Sequence, residues 1–527
     1  MRRSLVVWAF ALASLITAAS AQEKPRSGGE LAYSVLAAPP SFDAHQEATF
    51  AVLHTSAPFY SLLVKIDASN YPKVAPDLAE SWSVSPDGRV YDFKLRDGVK
   101  FHDGSLLTAR DVKTSLDHVI FPPAGVTSPR KAVYAQVEAV EAPNSRAVRI
   151  RLKRAQPAML TFLASPWNYI YKADLLEKDP QWHRQNVMGT GPFQFVEYVP
   201  GSHVVGKKNA DYFVKGQPYL DGFRGLIIVD ATARSAALRS GRVAADFVGA
   251  TPRRDQADLK QALGERLVLQ HSRWSCVLIV ALNHEKKPFD DPRVRRALSL
   301  AIDRREAARV VSEFSEFGTV AGISQTGAPF AMPEAELEKV PGYWPDVEKS
   351  RAEARRLLRE AGIPDGFSFV FNNRGITGPE RVGVFLIDQW RKIGLQATHR
   401  VLETAQEFAA KRSGDFTVAH DFSCDFVEEP DYGLTKYLSS DRSPINYARY
   451  SDPVLDELYE RQSRETDVEK RKALVWEFER RVLGEMAHQL VVLGQVRAVA
   501  LWEHVKGWRV TPSHYLNQDL ATVWLSR

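Results

Sequence analysis

One stretch, running from Pro86 to Val112 (PDGRVYDFKLRDGVKFHDGSLLTARDV), constrains the fold of this chain most. Two Asp-Gly pairs, Asp87-Gly88 and Asp97-Gly98, bracket the alternating run Val90-Tyr91-Asp92-Phe93-Lys94-Leu95. Asp-Gly suits the left-handed backbone of tight hairpin turns, and period-2 alternation suits a half-buried strand, so the spacing predicts a β-hairpin. A third pair, Asp103-Gly104, follows. Thr108 then stands where a helix N-cap belongs, with Asp111 three residues on, where a negative charge favours the positive helix end. The local physics predicts a β-meander feeding a helix.

The N-terminus reads as a secretory signal. Arg2 and Arg3 are the basic start, Leu5 to Ile16 is apolar apart from Ser14, and Ala19-Ser20-Ala21 is a small-x-small cleavage site. The expected signal peptide is 1–21 and the expected mature chain begins at Gln22. The apolar stretch is shorter than the about 20 residues a membrane span needs. Without its signal the chain still has some 500 of its 527 residues, too many for a single core, so two or three domains are expected. The formal charge of +5 falls to +3 when Arg2 and Arg3 leave. No basic block remains, which argues against nucleic acid as a partner. The two cysteines, Cys276 and Cys424, have two open readings: a disulfide in an oxidising compartment, or two small buried hydrophobes. No CxxC or Cys/His cluster accompanies them, so a metal pair is not expected.

Further along, Ala147 to Lys153 reads as a strand and Ala231 to Ser240 as a helix. Gly189-Thr190-Gly191-Pro192-Phe193 is a tight turn into a strand, and Gln194 stands where the third glycine of a nucleotide loop would be. Pro292 after Asp291 is a helix start, with Val294, Leu298, Ala301 and Ile302 on one apolar face. Ser350 to Ala361 (helix), Phe367 to Asn372 (strand), Pro379 to Ile393 (helix) and Leu395 to Leu402 (strand) alternate as in an α/β lobe. Asp452 to Arg461 and Val468 to Met486 read as late helices.

The wording of several segments resembles the bacterial extracellular solute-binding proteins of the peptide/nickel class, family 5, which serve ABC importers. Besides Pro86 to Val112, the resemblance is carried by Val74-Ala75-Pro76-Asp77-Leu78-Ala79-Glu80-Ser81-Trp82, by Lys207 to Phe213, by Gly241 to Asp246, and by Pro288 to Arg304, all in family order. It spans residues 28 to 520. It implies an α/β, two-lobed periplasmic binding protein fold (type II, cluster C) with an extra domain inserted in the first lobe. Lobe I would comprise 28–66, 187–270 and 495–527, the inserted domain 67–186, and lobe II 271–494. It further implies a periplasmic, monomeric receptor rather than an enzyme, handing a peptide-like solute to membrane permease subunits, with no cofactor.

A peptide receptor needs an acid for the solute's ammonium and an Arg fork for its carboxylate. In peptide-binding relatives an Asp in a "W-x-x-D-x-x-D-P" stretch holds the amine, and Asp425 takes that place in Phe422-Ser423-Cys424-Asp425-Phe426-Val427-Glu428-Glu429-Pro430. Here Glu429-Pro430 replaces Asp-Pro and the Trp is missing. The alternative is a solvated acidic loop of Asp425, Glu428, Glu429 and Asp431. Arg374, just past an expected strand end, matches the Arg that pairs with the carboxylate in dipeptide-binding relatives; the alternative is a surface loop. Trp274, at the crossing between lobes, is a candidate to stack on the solute or to pack in the hinge. His420 completes the ligand-binding candidates, with simple hydrogen bonding as its alternative and no metal role expected. No HExxH, GxSxG or His cluster points to catalysis, although a hydrolase on this scaffold and a receptor for an opine, oligosaccharide or metal chelate stay open.

Overall fold

The computed structural model describes residues 23–249, 251–516 and 519–526. The expected signal peptide lies outside the described residues. The predicted hairpin exists in its first half. Strands Ala79–Val84 and Val90–Leu95 pair antiparallel around Asp87-Gly88, whose glycine takes φ 67°. Tyr91, Phe93 and Leu95 are buried while Asp92 and Lys94 face outward, as the alternation requires. The second half differs. After Asp97-Gly98 the chain makes only a single bridge, Lys100 to Leu106, and the other edge of Val90–Leu95 is taken by Ala147–Leu152. Sequence proximity suggested a meander; burial of Val148 and Ile150 against the same core selected the distant strand. Asp92 sits opposite Arg149 and pairs with it at 2.7 Å. Helix Ala109–Ile120 starts as expected, with the Thr108 backbone N–H donating to the Asp111 carboxylate at 2.8 Å.

The four-stranded sheet, in the order Ala79–Val84, Val90–Leu95, Ala147–Leu152, Val137–Asn144, shares one continuous core with the first part of the large sheet. Phe93, Ile150 and Phe162 belong to the same buried cluster as Tyr33, Phe59 and Phe223. The glycines of Gly189-Thr190-Gly191 serve this packing: a Cβ on Gly189 would lie 2.1 Å from the Phe59 carbonyl oxygen. They permit a close backbone approach.

The large sheet has eleven strands and runs through the whole molecule. Its middle is a pair of long antiparallel strands, Leu267–Leu282 and Gln489–Trp502. On one side lie Val418–Cys424, Ser368–Arg374 and Gln396–Leu402; on the other lie Ala245–Asp246, Glu30–Val35 and Gly222–Ile227. Register shifts interrupt the central pairing between Trp274 and Val277. Residues 270 and 495, where lobe boundaries are expected, lie within these two strands. Beyond them a second core gathers Val294, Leu298, Ala301 and Ile302 of the Pro292 helix around Trp390. Asp291 caps that helix by accepting from Arg293 N–H at 2.8 Å.

Candidate functional site

A cavity of about 500 Å³ lies where the two halves of the large sheet face each other. Asp425, Arg374, Trp274 and His420 all line it. Strand geometry places them. Arg374 ends strand Ser368–Arg374, which runs parallel to Val418–Cys424 with Asn372 beside Ala419. Continuing that register brings Arg374 level with Asp421. Asp425 follows the end of Val418–Cys424, held by its backbone N–H donating to the Ser275 carbonyl at 2.8 Å. Four residues of extended chain separate Asp421 from Asp425, about 13 Å. The two ends of the cleft are therefore set by one strand.

At the Arg374 end lies a buried ionic cluster. Lys411 pairs with Glu407 at 2.8 Å and with Asp421 at 2.7 Å, and Lys436 pairs with Asp421 at 2.6 Å. The two lysines hold the Asp421 carboxyl well below the usual range against its burial. Arg374, 7 % exposed, faces the field of Glu407 and Asp421 and lies 5.5 Å from the centre of the Phe408 ring. Burial lowers its pKa, yet a guanidinium stays charged. His420, 1 % exposed, lies with its Nδ1 3.8 Å from Glu407. Burial drives its pKa down, favouring the neutral ring.

The acidic stretch that sequence left undivided separates into two kinds of side chain. Asp431 accepts from Ser463 at 3.0 Å and Gln462 at 2.5 Å and pairs with Arg471; Glu429 also pairs with Arg471; Glu428 pairs with Arg273 at 2.9 Å. These three are held by partners within the protein rather than left as a solvated loop. Asp425 alone has no cation within ion-pair distance among the described residues. Burial, reinforced by the nearby Glu428 charge, pushes its carboxyl up to about 7. Gly433 makes the room: a Cβ there would lie 2.7 Å from the Asp425 Oδ2.

Trp274 packs inside the protein and also reaches the cavity wall. It is 4 % exposed, packs edge-on against His514 at 5.1 Å, and lines the cavity with an Nε1–H that has no hydrogen-bond partner among the described residues. Beside it Cys276 and Cys424 form a disulfide, directly opposite each other on the two paired strands. The buried-hydrophobe alternative is thereby closed, and the bond ties the Asp425 strand end to the crossing strand.

Sequence reasoning missed Arg130 and Glu316, which also line the cavity. Nothing marks Arg130 among the 69 Lys and Arg residues, because its neighbours across the cleft come from distant segments. Among the described residues no group of three or more His, Cys, Asp or Glu side chains is placed to hold a metal ion, and no helix is long and apolar enough to cross a membrane.

Residues 73–444 match the family described as bacterial extracellular solute-binding proteins, family 5. The chain belongs to that family. The glutathione-binding protein GsiB of Salmonella typhi is 30 % identical over 425 residues, covering 79 % of this chain and 78 % of that protein. Two solved structures share the fold of this family 5 protein. One is the periplasmic binding protein DppA from Helicobacter pylori in complex with the peptide STSA, with TM-score 0.83, 23 % identity, and 95 % and 99 % of the two chains covered. The other is AgaA of A. tumefaciens R10 in complex with agropinic acid, with TM-score 0.83, 23 % identity, and 95 % and 99 % covered. One fold thus accompanies a peptide in one case and a different acid in the other, so the solute of this family 5 chain has to be argued from its own cleft.

Proposed function

We propose that this protein is the periplasmic substrate-binding component of an ABC importer and that it captures a short peptide of the glutathione kind. The observation that carries the reading is Asp425, a half-buried carboxylate in the cleft wall without a cation partner among the described residues. A buried charge is costly unless paired, and a solute ammonium supplies the partner. Arg374, whose planar fork of donors suits a carboxylate, takes the solute's carboxylate at the other end. Trp274 and His420 complete the walls. The glutathione-binding names of the relatives support a peptide with free ends.

The lobes of this reading are 28–66, 187–270 and 495–527 for the first, with 67–186 inserted, and 271–494 for the second. They close about the crossing strands when the solute binds, and the closed form docks on the permease. The protein works as a monomer, catalyses nothing, and reaches the periplasm through the 1–21 signal. The test is to produce the protein with its own leader, purify it from periplasm, and identify the released solute by native and denaturing mass spectrometry. A short peptide supports the end-clamp roles. A sugar, opine or chelate removes them, and turnover of an added peptide removes the receptor reading.

A further inference from the structure

Two buried histidines away from the cleft face each other in a way that neutral rings do not satisfy. His45 lies in the loop before helix Phe50–Ser56, and His118 lies on helix Ala109–Ile120; they are 0 % and 4 % exposed. His45 Nε2 is 2.8 Å from the Tyr169 carbonyl oxygen, and His118 Nε2 is 3.0 Å from that of Pro180. A carbonyl only accepts, so each Nε2 carries a hydrogen, and a neutral imidazole has no second one. Both Nδ1 atoms would then be bare acceptors. Yet they stand 3.1 Å apart, the distance of a hydrogen bond. Two neutral rings set lone pair against lone pair there, and two imidazolium rings set proton against proton. Three hydrogens on the four nitrogens satisfy all three contacts.

A buried cation needs a counter-charge, and one stands beside the pair. Asp43 is 0 % exposed. Its carboxylate accepts from the His45 backbone N–H at 2.9 Å, from Gln46 Nε2 at 2.6 Å and from Tyr171 Oη at 3.4 Å, and the Tyr171 ring lies 4.1 Å from the His45 ring. No Lys or Arg lies within ion-pair distance of Asp43 among the described residues. The other charged and titratable groups around the pair have partners of their own. Arg130 Nη2 donates to the carbonyls of Ala44, His45 and Glu47; Glu47 accepts from Ser41 Oγ at 2.8 Å; His183 stacks on Tyr171 at 3.6 Å and meets Tyr60 Oη at 3.2 Å; Lys113 pairs with Asp117 at 2.5 Å. Burial lowers the pKa of both rings. His118, His183 and Arg130 lower that of His45 further, whereas Asp43 and the Pro180 carbonyl raise that of His118. This balance refuses a charge on each ring, while one proton held by both spreads a single charge over two rings.

We propose that His45 and His118 share one proton in the folded protein and, with Asp43 as counter-charge, form a buried clip that fastens the loop to helix Ala109–Ile120 and opens as the pH rises. The loop runs on into Ala48, Thr49 and Phe50, which line the cavity, so the clip holds one wall of the cleft in place. It depends on no particular solute.

The test compares urea unfolding of the mature protein and of His118→Asn from about pH 5 to about pH 9, on either side of the ordinary histidine value of about 6.5. The Asn amide donates to His45 Nδ1 without a charge. With one shared proton, the two stability curves run parallel below about 6.5. Above it the folding constant of wild type falls about tenfold per pH unit relative to the variant, until the pair gives up its proton. With two neutral rings the curves diverge below about 6.5 and run parallel above it, and that result overturns the proposal. Asp425 and the other titrating groups are common to both proteins and cancel. Nitrogen-15 NMR of histidine-labelled wild type at about pH 7 reads the proton directly. One exchange-protected imidazole proton between the two Nδ1 atoms, absent from His118→Asn, is expected; two unprotonated Nδ1 signals overturn the proposal, as does a stoichiometric transition metal bound to those atoms. If His118→Asn does not fold, the wild-type spectrum decides.

Discussion

The two ends of the cleft hold charges of opposite status. At the Arg374 end, Lys411, Lys436, Glu407 and Asp421 satisfy one another. At the other end Asp425 has no such partner among the described residues. The first end is buried and Asp425 half-buried, and both belong to one strand and its exit. Burial alone therefore does not tell a structural charge from a functional one; the partner does. Where the protein supplies the partner, the pair holds the floor of the cleft in shape. Where it does not, the carboxyl is pushed up to about 7 and the energetic cost is left for a ligand to relieve.

That contrast breaks first at Asp421. Asp421→Ala leaves the buried Lys436 without its acid and Lys411 with Glu407 alone, and urea unfolding is expected to show a loss of about 3–5 kcal/mol. A loss below about 1 kcal/mol would mean that the cluster is solvated and the distinction is unfounded. Asp425→Asn is expected to do the reverse: no loss of stability without solute, and a loss of about 2 kcal/mol or more in solute affinity by calorimetry. Arg374→Gln should weaken affinity by a similar amount. An unchanged dissociation constant in either variant removes that residue from the site.

The pH dependence sharpens the same point. The folded Asp425 carboxyl, at about 7, lies above its ordinary 3.8. Between the two values the folded protein keeps a proton that the unfolded chain has released, so this group's contribution is fully present below about pH 4 and is lost as pH rises through about 7. Asp425→Asn removes that slope and is expected to raise stability at pH 8 by about 1–2 kcal/mol. Affinity moves the other way. A solute ammonium selects the ionised carboxylate, so wild-type affinity climbs about tenfold per pH unit below 7 and levels off above it, whereas Asp425→Asn stays flat. Coincident profiles for the two proteins would exclude Asp425 as the ammonium contact. The smallest effect belongs to Trp274→Phe, which keeps the packing and deletes the Nε1–H. About 0.5–1.5 kcal/mol of affinity is expected to go, with melting temperature unchanged; a drop in melting temperature at constant affinity would assign Trp274 to the hinge alone.

Much of the architecture was legible in short-range signals. The Asp87-Gly88 turn, the Thr108 cap, the Asp291-Pro292 helix start and the α/β alternation after Ser350 each depend on residues a few positions apart, and each formed. The meander after Asp97-Gly98 did not form, because a strand edge is claimed by whichever distant segment buries its apolar face best. Asp425 and Arg374 could be picked out because a family wording points to them. The status of their neighbours could not.

By itself, the sequence determined the family, the local turns and caps, and the residue types available to meet an ammonium and a carboxylate. Only the tertiary structure decided which charges remain available. Asp431 and Asp425 are six residues apart in similar company, yet one is locked to Ser463, Gln462 and Arg471 and the other faces the cleft. The Cys276–Cys424 bond, across 148 residues, has the same character. Ion pairing and burial act over a few ångströms of space, and the chain brings those neighbours together only once its long central strands have crossed and paired.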